Sequence, residues 1–207
     1  MEFTDWLTLA TVLLFGAMSP GPSLGVVVES TARSGVGHGF VTAIAHGVGV
    51  GCYALLATLG LVVLISGSPL LFQVLQLAGA IFLLYLAYQA LANRGGGEPT
   101  AELPMRTYWQ SVSAGFFTAF LNPKIALVFL ALFSQFVTPE TSLAVKWLMA
   151  LTALLVDALW YCVVVVLVGY SGILARFEGR GHWAQRVFGV LLIAIALRVA
   201  APVLGFE

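Results

Sequence analysis

"FGAMSPGPSLGVVVES", residues 15–30, lies inside an apolar run and carries Pro20, Gly21 and Pro22 at its middle. A helix that must satisfy its own backbone inside lipid gains nothing from prolines, which remove a donor and clash with the preceding turn. Pro20 cannot donate to the carbonyl of Gly16, nor Pro22 to that of Met18. Carbonyls freed in this way are tolerated at membrane depth only where protein, water or a bound solute satisfies them. The stretch therefore reads as a helix break that builds a polar cradle. The plainer alternative is a proline kink, which is commoner in membrane helices than in soluble ones.

Composition supplies the membrane. Of 207 residues, 60% are hydrophobic and 9% charged, where a soluble domain has about 25% charged. A span takes roughly 20 mostly apolar residues, and six such runs occur, at about 6–28, 39–65, 69–92, 111–136, 144–170 and 185–205. The expected fold class is all-α, a polytopic membrane protein with six transmembrane helices in a single domain, 1–207. The start "MEFTDW" carries Glu2 and Asp5 where a secretory signal is basic. The formal net charge is zero, and no basic run points to nucleic acid. The loops are too short for a soluble domain, so any chemistry belongs within the bilayer or at its faces.

The loop "NRGGGEPTAELPMR", residues 93–106, is rich in Gly, Pro and charge and reads as a linker. It separates a first repeat (about 1–92) from a second (about 107–207), each with three runs. Because each set is odd in number, the two cross the membrane in opposite senses, as an inverted repeat does. The first run of the second set contains "AFLNPKIAL", with Asn122, Pro123 and Lys124 inside it; Pro123 frees the carbonyl of Ala119. Interrupted helices at matching positions of two inverted halves point to the binding site of a secondary transporter. Exposed amides and half-helix dipole ends at such breaks can hold a substrate carboxylate or ammonium.

Arg33, Arg94, Arg106, Arg176, Arg180 and Arg186 fall in the loops of one side, against Lys146 and Arg198 on the other. The excess of positive charge assigns the first side to the cytoplasm. The expectation is a multi-pass protein of the inner (cytoplasmic) membrane with both termini outside.

Lys124 and Asp157 fall near mid-depth, where a charge costs about 2.5–3.5 kcal/mol and usually pairs or serves a pathway. The two can pair with each other or act on a substrate. Asp157 shares a helix face with Trp160 and Tyr161 and is a candidate to exchange a proton or to receive a substrate ammonium. His46, central in the second run, is a weaker proton candidate; a lone helical histidine is more often a hydrogen-bonded packing residue. Glu29 and Arg33, four apart, read as an interfacial ion pair. Gly35, Gly39, Ala43, Gly47 and Gly51 form a small-residue stripe that lets a neighbouring backbone approach and would also permit a homodimer.

Together these stretches resemble the lysine exporter (LysE/RhtB) family of amino-acid efflux transporters. The resemblance runs along nearly the whole chain, through "SPGPS", "GVGHGFVTAIAHGVGVG", "LQLAGAIFLLYLAYQAL", "AGFFTAFLNPKIALVFLALFSQFV", "LVDALWY" and "RVFGVLLIAIALRV". It implies export of amino acids or close derivatives, driven by the proton gradient. By position, Pro20, Gly21 and Pro22 match the family's first motif, Asn122, Pro123 and Lys124 its second, and Asp157 an acidic position of the fifth helix. Cys52 stands where the resemblance leads one to expect an acidic residue, and such sparse intramembrane charge fits a neutral amino acid better than a cationic one.

Three other readings compete. Cys52 and Cys162 lie in the second run of each half, but without a Cys-x-x-Cys arrangement they read as small buried hydrophobes rather than a thiol-redox pair. A metal-ion exporter would want clustered His, Cys or carboxylate ligands; the central set here is thin and includes a repelling lysine. A non-transporting scaffold has no need of paired breaks with central charges. No enzyme activity, cofactor or resident metal is expected.

Overall fold

A computed structural model describes residues 1–19, 21–92 and 105–171, together with helical positions at 190, 192–197, 200–201 and 203 and a turn at 204. Pro20, Arg94, Arg176, Arg180, Arg186, Arg198 and linker residues 93–104 lie outside the described residues, as does much of the sixth expected span. Every described element is α-helical: α1 (Phe3–Met18), α2 (Pro22–Ser34), α3 (Val36–Gly67), α4 (Pro69–Ala92), α5 (Tyr108–Phe120), α6 (Pro123–Phe133) and α7 (Leu143–Ser171).

The first and fourth expected runs are each divided in two. α1 and α2 meet at 59°, and α5 and α6 at 48°. Among the described residues two helices are long and apolar enough to cross a membrane alone, over Val36–Leu61 of α3 and Leu143–Gly169 of α7. Counting each bent pair as one span raises the number to four, and α4 adds a shorter apolar stretch, Leu70–Tyr85.

Local sequence explains where the helices start and stop. Pro22 and Pro123 open α2 and α6, the one turn where a missing amide costs nothing. Thr107 caps α5, its hydroxyl accepting from the Gln110 amide at 3.2 Å while the Gln110 side chain accepts from the Thr107 amide at 2.8 Å; both orphan donors are satisfied. α2 stops at Gly35, whose φ of 94° is open to glycine and strained for other residues, and α3 starts immediately after it.

α3 is the central pillar, packed between α5 and α7, and glycine lets both neighbours come close. A Cβ on Gly47 would lie 2.7 Å from the Ala158 Cβ and 2.9 Å from the Leu154 carbonyl oxygen of α7. A Cβ on Gly115 of α5 would collide with the Thr42 carbonyl of α3. The expected small-residue stripe is thus a packing surface, with Gly39 against Thr31 and Gly47 and Gly51 against α7. Those three glycines are occupied within the chain, which removes the argument that they serve a homodimer.

The larger apolar core draws Leu9 from α1, Leu83 from α4, Phe129 and Phe133 from α6 and Met149 from α7. A smaller cluster joins Val27 of α2, Ala43 of α3 and Tyr161, Val164 and Val165 of α7. Many outward residues are equally apolar, among them Leu14, Ile44, Leu155 and Leu159. Lipid solvates such a surface, so close packing around small residues, not removal from water, holds these helices together. Tyr88, Tyr108, Trp109 and Trp147, near helix ends, are exposed and suit the headgroup boundary.

Candidate functional site

The two breaks line one cavity of ≈ 60 Å³, above the size needed to hold water. Gly21, Pro22, Asn122, Lys124, His46 and Asp157 all line it. Six of the eight residues expected from sequence are therefore brought together. Of the other two, Pro123 opens α6 beside Asn122, and Pro20 lies outside the described residues.

Each break presents a helix N-terminus. In the first turn of α2 the amides of Ser23 and Leu24, and in α6 that of Ile125, have no acceptor within their own helix, and the dipoles add partial positive charge there. Asn122 caps α6 with its side-chain oxygen, which accepts from the Lys124 amide at 3.0 Å. Its amide nitrogen reaches toward the Ser23 hydroxyl at 3.5 Å. The Lys124 ammonium donates to the Ser19 hydroxyl at 2.9 Å, joining the second break to the first.

The freed carbonyls behave differently from the simplest expectation. The Gly16 carbonyl is recaptured by the Ser19 amide at 3.3 Å, and that of Ala119 by the Asn122 amide at 3.1 Å. Both are tightened last turns, the usual remedy where an i+4 donor is missing. The carbonyl that takes a partner from another helix is that of Ala17, to which the Tyr161 hydroxyl donates at 3.1 Å.

Also lining the cavity, His46 of α3 and Asp157 of α7 form a buried pair, Nδ1 to Oδ2 at 2.6 Å. The histidine is hydrogen-bonded, as a packing residue should be, and its partner is the other candidate proton carrier. His46 is fully buried and Asp157 is 7% exposed. The remaining ring nitrogen, Nε2, has no hydrogen-bond partner among the described residues. A short His–carboxylate contact can share or pass one proton, and the open nitrogen is a place for a water or a substrate group. Val12, Val50, Phe129 and Ala153 complete an apolar wall.

Ser19, Ser23 and Tyr161 belong to the site although sequence reasoning assigned them no part in binding. The serines flank the prolines in "SPGPS", a signal that was present. Nothing along the chain marks Tyr161 as the partner of Ala17, because that contact spans 144 positions. Away from the cavity, Glu29 accepts from Arg33 at 3.2 Å and from Arg106 at 3.0 Å. The interfacial pair is present, and it recruits a second arginine expected on the same membrane face. Cys52 and Cys162 are free thiols, but Cys52 is exposed and Cys162 partly exposed, so neither is the buried hydrophobe expected; in lipid an outward thiol needs no burial inside the protein. Among the described residues no three His, Cys, Asp or Glu side chains are grouped to hold a metal ion.

The sequence profile of the LysE type translocators matches residues 14–202. A threonine efflux protein of Escherichia coli K12 is 23% identical over 94% of this chain and 96% of its own length. A leucine efflux protein of Klebsiella pneumoniae is 26% identical over 95% and 94%. An uncharacterized membrane protein, YrhP, of Bacillus subtilis is 24% identical over 86% and 90%. No solved structure matches the chain.

Proposed function

Because the chain belongs to the LysE type translocator family, we propose that it is a secondary active exporter of neutral amino acids or close derivatives, driven by protons. The observation that carries this reading is the meeting of the two broken helices at one cavity, which a lysine and a His–Asp pair also line. In the proposal six helices form two inverted halves in the cytoplasmic membrane, and the halves rock around this site. The face bearing Arg33 and Arg106 is cytoplasmic, with both termini outside.

The chemistry divides by charge. A substrate carboxylate lies against the N-termini of α2 and α6 and the Lys124 ammonium, where anions are favoured. Asn122 keeps the α6 terminus in shape, and Gly21 and Pro22 hold that of α2 open. Asp157 with His46 takes the substrate ammonium or exchanges a proton for it. The apolar wall of Val12, Val50, Phe129 and Ala153 offers a cationic side chain no counter-ion, which supports a neutral substrate. The threonine and leucine efflux relatives carry uncharged side chains in the names of their solutes.

Inverted vesicles or proteoliposomes loaded with labelled amino acids, with and without an imposed proton gradient, test the proposal. The parent should move at least one neutral amino acid in a gradient-dependent way, and Asp157→Asn should lose that dependence. Transport of no amino acid under any gradient would remove the substrate assignment.

A further inference from the structure

Tyr161 does something that its place in the apolar cluster does not require. It is 1% exposed, and phenylalanine would fill the same space. Its hydroxyl instead donates 3.1 Å to the carbonyl of Ala17, in the last turn of α1. In an unbroken helix that carbonyl would accept from residue 21; here Gly21 lies past the bend, as the N-cap of α2. A buried hydroxyl left without a partner is costly at membrane depth, and this one also has Ser23 of α2 as a hydrogen-bonding neighbour, so it meets both sides of the break.

The other side of Tyr161 faces the proton-bearing pair. Its ring stands edge-on to His46, with centroids 5.0 Å apart and planes at 75°. His46 is bonded to Asp157, one helical turn before Tyr161 on α7. A continuous set of contacts therefore runs from the His46–Asp157 pair through Tyr161 to the free end of α1. Among the described residues lining the cavity, the titratable groups beside Tyr161 itself are Asp157 on α7, His46 on α3 and Lys124 on α6. The cavity-lining residues of α1 and α2 carry no charge.

We propose that Tyr161 is a positioning residue for coupling: it ties the broken end of α1 to the proton-bearing helix, so that a change of charge at His46–Asp157 is passed to the break. This rests on the proton-driven reading above. With the proton rearranged, the His46 ring shifts against Tyr161, and the hydroxyl carries that shift to the Ala17 carbonyl. Without the hydroxyl the break and the proton site move independently, and the gradient slips.

The test is Tyr161→Phe, which removes one oxygen and keeps the ring, compared with the parent in proteoliposomes. Two rates are measured, gradient-driven accumulation and gradient-free exchange of labelled against unlabelled amino acid. The expected result is a fall of about tenfold in the ratio of driven transport to exchange, the size of one buried hydrogen bond present in only one state. Amide hydrogen exchange at residues 16–19 should rise in the same variant, because the end of α1 is no longer held. On an Asp157→Asn background the Phe change should lower the ratio no further. An unchanged ratio, or a proportional loss of both rates, would overturn the inference and leave Tyr161 a packing residue. If the parent itself shows exchange but no response to a gradient, the proton-driven reading fails first and is identified as the cause.

Discussion

Between α5 and α6 the chain turns by 48° and completes most of the join from its own neighbouring residues. Asn122 supplies the cap, Pro123 the first helical position, and the Asn122 amide closes the turn onto Ala119. Between α1 and α2 it turns by 59°, and Gly21, the N-cap, has no side chain to offer. That break leans on other helices instead, with Lys124 reaching Ser19 and Tyr161 reaching Ala17. A locally capped break keeps its shape whatever its neighbours do. A break held by partners on α6 and α7 changes when those partners move, and is the better place for a gate. The proposed cycle therefore has a fixed jaw at Asn122–Lys124 and a movable one at Ser19–Ser23.

The comparison can be broken most sharply at its charged and proline positions. Lys124→Met should lower amino-acid transport by about 100-fold, the scale of removing one partner of a buried charge interaction, with membrane insertion retained. Pro22→Ala and Pro123→Ala should each abolish export, since removing the proline lets the helix run on through the bend and close the cradle. Parental rates from both proline variants, measured by vesicle efflux, would mean that neither break matters to transport.

A smaller effect separates the jaws. Asn122→Ala removes the α6 cap and should lower stability by about 1 kcal/mol, read as a reduced melting temperature in detergent, with Asn122→Asp recovering most of it. No equivalent cap exists at Gly21, so Gly21→Ser, able to add one at an N-cap of extended backbone, should leave stability the same or higher. The same variant should slow transport if mobility there is needed.

The smallest change expected is at Ser19. Ser19→Ala deletes the hydroxyl that accepts from Lys124 and should weaken half-saturation for export by roughly threefold, within the range of a single hydrogen bond. A melting temperature shift without any change in half-saturation would place Ser19 in the scaffold rather than at the site.

The helices themselves were legible because membrane burial leaves a plain trace: apolar runs of sufficient length, interrupted at Pro and Gly. Both breaks and the Glu29–Arg33 pair could be read from residue type and spacing. The partner of Asp157 was not. Along the chain Lys124 was the partner considered, and His46 takes that place because α3 approaches α7 closely at Gly47 and Gly51. The apolar wall was hidden for the opposite reason, since one valine among many apolar residues of a span carries no mark of facing a cavity.

By itself the sequence determined that the chain is a helical membrane protein with two interrupted helices, because lipid leaves a spanning backbone to satisfy its own hydrogen bonds and Pro and Gly mark where it cannot. Only the tertiary structure decided that the two interruptions share one cavity, that His46 holds Asp157, and that Tyr161 holds Ala17. Those contacts join residues 105, 111 and 144 positions apart, through Lys124–Ser19, His46–Asp157 and Tyr161–Ala17 respectively. Helix packing sets such distances, and no local preference of the chain encodes them.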